Sequence, residues 1–375
     1  FSLSLIGTFL VRSGILTSVH DFATDPDRGA FILALLALFI GGGLTLYAWR
    51  GSSIAEGGVF ALWSRETGLL ANNLGLSAAT GVVFVGTLYP LVLDLVNGAK
   101  FTVGAPYFNQ SFLPVFGLVM FAAGIGPFLS WKRARPAVVL KMAAVGLAIA
   151  ALLTALVALV LGLSQPVGLF GLFIALWLAV ATKMDLAARI GAGKVPATAS
   201  LRRLVGLPRS AWGLYLGHLG LAIAAAGVVA VSVWKVEAIQ TSALGDATQV
   251  GPYAFTLERV ENDAGPNYQT SIATVRVSRD GAPTHTLHPE RRFYPVQGRP
   301  TTEAGIVTLW HGDIYAVLGD PDGKGGHVTR YYYNPGVPWM WLGALMLTLS
   351  ALVSLTDRRL RIGAPTRRFA AQPAE

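Results

Sequence analysis

The chain has 375 residues, of which 53% are hydrophobic and only 13% are charged, and its mean hydropathy is +0.55. A soluble domain has about 25% charged residues, so this composition excludes an ordinary water-soluble protein and indicates an integral membrane protein. The chain has no cysteine, which excludes disulfides, thiolate metal sites, iron–sulfur clusters and a thiol nucleophile from it. Phe1 lies inside an apolar run, so we expect the chain to start within a longer protein.

Apolar runs occur along most of the chain. Seven are long enough, or nearly so, to cross ~30 Å of hydrocarbon, and an eighth at the start is partial. They are residues 1–16 (the partial run), 30–48, 69–93, 111–130, 142–163, 166–182, 211–233 and 337–356. The pattern predicts an all-α polytopic membrane helix bundle over residues 1–234, a final transmembrane helix over 336–356 and a basic tail over 357–375.

The loops between these runs differ in their basic residues. One alternate set, with the tail, contains 17 Lys and Arg, whereas the opposite short loops contain only Arg28 and Lys100. Because Lys and Arg concentrate in cytoplasmic loops, residues 17–29 are predicted outside and the C-terminus inside. The sequence pI of about 9.9 therefore reflects topology and contact with anionic membrane lipids, and no nucleic-acid partner is predicted.

Residues 235–335 are too polar to span a membrane. They contain nine basic and eleven acidic residues. Period-2 alternation over 271–277, the turn Arg279-Asp280-Gly281 and the runs 305–318 and 327–333 predict a small antiparallel β-rich domain. The loop pattern places this domain outside, before the last span.

Histidine is the chemically interesting residue type, with six copies. Four lie in the β-rich domain and are interpreted as ordinary strand or turn residues: His285, His288, His311 and His327. His218 lies inside the run 211–233, where an ionisable residue needs a partner. Flanking Gly217 and Gly220 would let either a flat macrocycle or another helix approach closely. A neutral imidazole bonded to a neighbouring helix and a haem ligand both remain open for His218.

His20 lies just past the first apolar run, next to Val19 and Phe22. Such an imidazole at the solvent edge suits either a ligand to haem presented from outside or an interfacial histidine with no ligand role. Arg12 and Arg28 suit pairing with haem propionates, although Arg12 equally suits the lipid headgroups and Arg28 a nearby aspartate.

Several separated motifs occur in order along the chain: Phe1-Ser2-Leu3-Ser4, Gly7 to Gly14, Ser18-Val19-His20, Asp25 to Gly29, Ser64-Arg65-Glu66-Thr67 with Asn72-Asn73, Gly86 to Pro90, Val103 to Asn109, Gly265-Pro266-Asn267-Tyr268, Pro289-Glu290-Arg291-Arg292 and Thr302-Glu303-Ala304. Together they resemble the CcmF family of haem lyases in the multicomponent cytochrome c maturation system, a WWD haem-handling family. The resemblance runs nearly end to end. The chain looks like the C-terminal portion of such a protein, and the WWD motif and two further histidines are implied to lie upstream.

The resemblance implies two haem roles in a bacterial inner membrane. His218 would be an axial ligand of a bundle b-type haem, and His20 an axial and catalytic ligand of the incoming haem. The chaperone CcmE would deliver this haem, and CcmH/CcmI-type proteins would present apocytochrome c, whose Cys-x-x-Cys-His thiols add to the vinyl groups. The bundle haem would relay electrons from a quinol.

Two further sets of residues have weaker assignments. A quinol site is suggested near Glu66, Asn72 and Asn73, although an Asn pair at a helix start also suits capping. Arg291 and Arg292 are candidates for binding a carboxylate or propionate of a partner. A membrane transporter and a noncatalytic assembly scaffold remain the alternative functions.

Overall fold

The structure is a computed structural model that describes residues 2–12, 26–53, 59–98, 101, 103–296 and 298–357. Its helices are α1 Ser2–Arg12, α2 Pro26–Leu36, α3 Gly42–Arg50, α4 Arg65–Asn97, α5 Ala105–Ile125, α6 Pro136–Leu161, α7 Pro166–Ile190, α8 Ala197–Val205, α9 Arg209–Trp234 and α10 Val337–Leu355. A π-helical turn over Ala37–Gly41 joins α2 to α3.

Seven helical segments of the described chain are long and apolar enough to cross a membrane, the first being the continuous segment Gly29–Ser53. The others coincide with α4, α5, α6, α7, α9 and α10. A shorter apolar helix, Ser2–Val11, lies at the start. The chain is thus a multi-pass membrane protein, as its composition predicted.

Polar residues extend several helices beyond the apolar runs. Helix α4 begins at Arg65 rather than at residue 69, because Ser64 is its N-cap and accepts a hydrogen bond from the Thr67 N–H at 3.2 Å. Asn72 and Asn73 therefore lie within the helix and are not caps. The loop predicted over 183–210 also contains helix α8, which has an apolar and a basic face.

The described residues of the β domain form ten strands in two antiparallel sheets. The strands are β1 Val236–Ser242, β2 Ala247–Val250, β3 Tyr253–Ala264, β4 Gln269–Arg279, β5 Ala282–Leu287, β6 Glu290–Tyr294, β7 Arg299–Glu303, β8 Gly305–Leu309, β9 Gly312–Pro321 and β10 His327–Pro335. One sheet has the order β1-β10-β9-β8, and the other has the order β2-β3-β4-β6-β7 with β5 paired to β4. The predicted fold class, a helix bundle with an antiparallel β domain before the last helix, is confirmed.

The core of the domain lies between the two sheets. Alternate residues of β4 (Ala273, Val275 and Val277) are buried against alternate residues of β9, such as Ile314 and Leu318. The predicted turn reverses the chain at Asp280 and Gly281, whose φ angles are 52° and 79°. The run 305–318, predicted as one segment, is instead a hairpin, because the chain turns between the paired Leu309 and Gly312.

The chain divides into two compact units. One comprises residues 1–122 with 129–136, and the other comprises residues 123–128 with 137–375. The second unit contains α7, α9 and α10 together with the β domain. It is the unit that contains His218.

Candidate functional site

Helix α9 lies between two antiparallel neighbours in the second unit. Against α10, a Cβ added at Gly220 would lie 2.9 Å from the Met346 Cβ, and one added at Gly343 would lie 2.5 Å from the Ala224 nitrogen. Against α7, a Cβ at Gly171 would lie 2.7 Å from a Val229 methyl group. Small residues in membrane helices permit such close backbone approach. The glycines around His218 therefore serve helix contacts.

The two glycines that flank His218 both face α10. A Cβ at Gly217 would lie 2.9 Å from the Ser350 hydroxyl, and Gly220 lies against the carbonyl of Gly343. Ser350 also donates a hydrogen bond to the Gly213 carbonyl at 2.7 Å. Of the two approaches that the sequence allowed at these glycines, the structure shows the approach of another helix.

The imidazole of His218 is partly exposed, but its Nδ1 atom is buried and has no hydrogen-bond partner among the described residues. A buried polar atom without a partner costs free energy, typically ~1–3 kcal/mol. Such orphaned groups are uncommon, and a functional role or an unseen ligand is one of their usual reasons. The structure therefore provides no neighbouring-helix hydrogen bond for this atom.

A polar network that sequence reasoning missed lies one turn from His218. Tyr215 donates a hydrogen bond to the Asp185 carboxylate at 2.7 Å, and Arg189 forms an ion pair with the same oxygen at 2.9 Å. The Arg189 guanidinium also lies 5.8 Å from the centre of the Tyr215 ring. Because residues three apart share a helix face, His218 and Tyr215 both lie on the α7 side of α9. Asp185 therefore links α7 to α9.

A haem bound in this part of the protein would find one nitrogen ligand on α9. His218 lies on a spanning helix, and no described neighbouring helix holds its ring through Nδ1, so the imidazole is available as an axial ligand of haem. The other described histidines all lie on the β domain, so the described spanning helices contain no second histidine ligand. The described spanning helices can therefore supply one axial histidine ligand to such a haem, His218 of α9.

The predicted outer site falls largely outside the described residues. His20 lies outside them, and nothing is described of the side chains of Arg12 and Arg28. Arg12 is the last residue of α1, and Arg28 lies in the first turn of α2.

Glu66, in the suggested quinol site, is bound to a loop of its own unit. Both of its carboxylate oxygens accept the backbone N–H of Lys132, at 3.0 and 2.9 Å. Lys132 has a φ of 61°, an uncommon conformation for a non-glycine residue. Asn72 is half-buried and Asn73 is exposed on α4. The structure thus shows Glu66 as the anchor of a tight loop.

The two arginines predicted to bind a partner have different environments. Arg292 donates to the Glu290 carboxylate at 2.8 Å and lies 4.6 Å from the centre of the Tyr268 ring. This hydrogen bond lowers the pKa of Glu290 and raises that of Arg292. Arg291 instead pairs with Asp320 and lines a groove of about 860 Å³. Arg292 is thus part of the domain's internal structure.

Three of the four β-domain histidines are not ordinary surface residues: His285 and His327 each have a buried Nδ1 with no partner among the described residues, and His311 contacts two tyrosines. His311 Nδ1 lies 2.9 Å from the Tyr333 hydroxyl, and its Nε2 lies 3.4 Å from the Tyr253 hydroxyl. Burial, followed by the nearby Arg279 charge, lowers the pKa of His311. The described residues contain no cluster of three or more His, Asp or Glu suited to a metal ion.

The chain resembles a family model and a solved structure. A model described as the CcmF C-terminal beta-sandwich matches residues 233–335. A solved structure titled Cytochrome c Heme Lyase CcmF superposes with a TM-score of 0.67 at 23% identity, over 95% of this chain and 53% of that one. This structural likeness supports the fold of the helices and the β domain.

Curated relatives match along almost the whole chain. The cytochrome c-type biogenesis protein CycK of Rhizobium meliloti is 44% identical over 98% of this chain and 54% of its own length. The cytochrome c-type biogenesis proteins CcmF of Pseudomonas aeruginosa and Escherichia coli are 42% and 39% identical, over 98% and 96% of this chain and 55% and 54% of their lengths. The chain spans about half the length of these relatives. It belongs to the CcmF family of cytochrome c-type biogenesis proteins.

Proposed function

We propose that this chain takes part in the attachment of haem to apocytochrome c, in a bacterial inner membrane, with the β domain on the periplasmic side. The observation that carries the proposal is the buried, unpartnered Nδ1 of His218 on a spanning helix of a CcmF-family chain. The similarity to named cytochrome c biogenesis proteins supplies the reaction class. Because those relatives are about twice as long, the activity belongs to a larger assembly that contains this chain.

In this proposal His218 binds a b-type haem through one imidazole nitrogen. Such a haem would supply one-electron transfer, drawing electrons from a quinol, at a potential that the axial ligands and the low-dielectric surroundings set. The packing of α9 against α7 and α10 holds the His218 backbone in place through the close contacts at Gly171 and Gly220. A rigid backbone on both sides fixes the direction of the imidazole.

His20 is proposed to bind the substrate haem, which CcmE delivers, while Arg12 and Arg28 pair with its propionates. CcmH/CcmI-type proteins would present the apocytochrome beside it. Each cysteine thiol then adds across a vinyl group, so that a carbon–sulfur bond forms and the thiol proton goes to the neighbouring vinyl carbon. The addition is redox-neutral in itself and proceeds on ferrous haem, which is the proposed use of the electron from the quinol.

The test separates the two histidines. The protein is purified from cells that contain the complete maturation system. His218→Ala is expected to insert normally and to lose the b-type absorption band, whereas the matched control His288→Ala, an exposed β-domain residue, keeps it. A full b-type spectrum in His218→Ala would refute the ligand assignment.

His20→Ala gives the complementary result. It is expected to keep the b-type band and to lose holocytochrome production, because His20 is proposed to contact only the substrate haem. An unchanged holocytochrome yield would end the proposal for this residue.

A further inference from the structure

A groove on the outer face of the sheet β1-β10-β9-β8 has no assigned role. Its floor is formed by alternate residues of β10, namely Val328, Arg330, Tyr332 and Asn334, and by Tyr315 and Val317 of β9. Alternate residues of a strand point to the same face, so these side chains form one surface. The hairpin of β6 and β7 forms one wall, because Arg291 of β6 pairs with Asp320 of β9.

Cationic side chains are concentrated in this groove. Lys235, Arg291 and Arg330 line it, whereas Asp320 is its acidic lining residue. The β domain as a whole has more acidic than basic residues, so the positive charge here is local. A concave surface with a surplus of one sign of charge concentrates the field that attracts an opposite charge.

Arg330 differs from its neighbours in its pairing. Lys235 forms an ion pair with Glu237 at 2.7 Å, and Arg291 pairs with Asp320. Arg330 is exposed, has no ion pair within the described part of the chain, and lies opposite Val317 and Ile239 in the flanking strands. An unpaired arginine presents its full fork of donors to a carboxylate.

The spacing of the cations selects an extended ligand. Lys235 lies beside Tyr332, with its ammonium 5.6 Å from the ring centre, and it precedes the Val236–Tyr333 pair of the ladder. The Lys235 ammonium therefore lies about level with Tyr332, two residues from Arg330 along β10, or ~7 Å at the rise of a strand. Alternate side chains of an extended polypeptide repeat at this interval, so two of its carboxylates match the two cations.

The surface between the two cations suits a polypeptide. Tyr332 and Tyr315 are half-buried and contact each other edge to face, with ring centres 5.3 Å apart. Tyrosine combines a large apolar face with a hydroxyl, which is why it is common where proteins bind peptides. Half-buried Val317 and Val328 supply further apolar contact.

We propose that this groove binds an acidic polypeptide segment in an extended conformation, with Arg330 and Lys235 contacting its carboxylates and Tyr332 packing between them. The inference goes beyond the haem proposal, since it involves neither His218 nor His20. In the assembly proposed above, such a site would hold a partner protein against the β domain.

The experiment measures binding without any maturation assay. The full chain is placed in bilayer discs of zwitterionic lipid, and fluorescence anisotropy reports the binding of a short labelled peptide of alternating glutamate and valine. A lysine–valine peptide of the same length is the probe of opposite charge. The acidic peptide is expected to bind more tightly, and its affinity is expected to fall as salt is raised.

Variants identify the site. Arg330→Ala is expected to weaken acidic-peptide binding about tenfold and Arg330→Glu about a hundredfold, the effects of losing and of reversing a charge-assisted contact. The matched control Arg276→Ala is expected to change binding less than about twofold, because Arg276 lies on the other sheet, paired with Glu258 at 3.0 Å. Thermal unfolding that matches the unmodified protein shows that each variant is folded.

Three results would overturn the proposal. They are the absence of acidic-peptide binding, equal binding of the acidic and basic peptides, and an equal loss in Arg276→Ala and Arg330→Ala. Binding of anionic lipid vesicles that depends on Arg330, without peptide binding, would identify the groove as a lipid site instead. None of these results bears on the haem spectrum, so the two proposals fail independently.

Discussion

Gly343→Ala should push α9 and α10 apart. The added Cβ would lie 2.5 Å from both the Ala224 nitrogen and the Gly220 oxygen. Non-bonded heavy atoms prefer a separation of about 3.5–4.0 Å, so the two helices would have to move apart by ~1 Å. The clashing atoms belong to the backbone of α9 and cannot rotate away.

The cost of this substitution can be bounded from two opposing effects. Overpacking typically costs ~1–3 kcal/mol, whereas replacing a helical glycine by alanine gains ~0.5–1 kcal/mol. We expect a net loss of ~1–2 kcal/mol in the free energy of unfolding. For a unit of this size, that loss corresponds to a fall in Tm of about 3–6 °C.

The assay is thermal unfolding of the purified protein in detergent, followed by intrinsic tryptophan fluorescence. Gly81→Ala in α4 is the matched control, because a Cβ there would meet nothing within 4 Å. It is expected to be neutral or slightly stabilising. Gly343→Ala with a Tm equal to that of the unmodified protein, or a Gly81→Ala variant with the same loss, would refute the packing argument.

Three further predictions concern other parts of the molecule. Burial, and then the charge of Arg279, hold the pKa of His311 below 6.5. As the pH falls below that value, the unfolded state therefore binds more protons than the folded state. The free energy of unfolding should then decrease. His311→Gln should remove this pH dependence, as measured by hydrogen exchange of the β domain; an unchanged dependence would assign it to another group. Glu66→Gln should weaken the contacts to the Lys132 N–H and speed exchange of that amide; unchanged exchange would contradict the anchoring role. Ser200→Cys should be labelled by an impermeant thiol reagent only from the cytoplasmic side, and labelling from outside would overturn the predicted topology.

The spanning helices were predictable because burial in lipid imposes a length and a composition that any sequence must show locally. The helix ends were not, because Arg65 and Glu66 are polar but belong to α4. Their helical conformation depends on the Ser64 cap and on the loop at Lys132. The run 305–318 shows the same limit, since alternation indicates strands but does not say where a strand turns back on itself.

The candidate site, likewise, could be predicted from the sequence only in part. The sequence alone identified His218, because an ionisable residue inside an apolar run is conspicuous. It also showed that Gly217 and Gly220 leave space beside it, but not what fills that space. The structure shows α10 there, together with the network of Asp185 and Tyr215 on the α7 side.

The environments of the β-domain cations could not be predicted from the sequence. Arg291 and Arg292 are neighbours in sequence, yet their side chains leave opposite faces of β6. One lines a groove, and the other pairs within its own sheet. Arg330 gave no signal in the sequence, because its role depends on which strand lies beside it and on the absence of a carboxylate opposite. The membrane class, the order of the helices and the place of the β domain could all be predicted from the sequence, since they follow from local composition and periodicity. Which side chains meet is known only from the folded structure, because that depends on contacts between residues far apart in the chain.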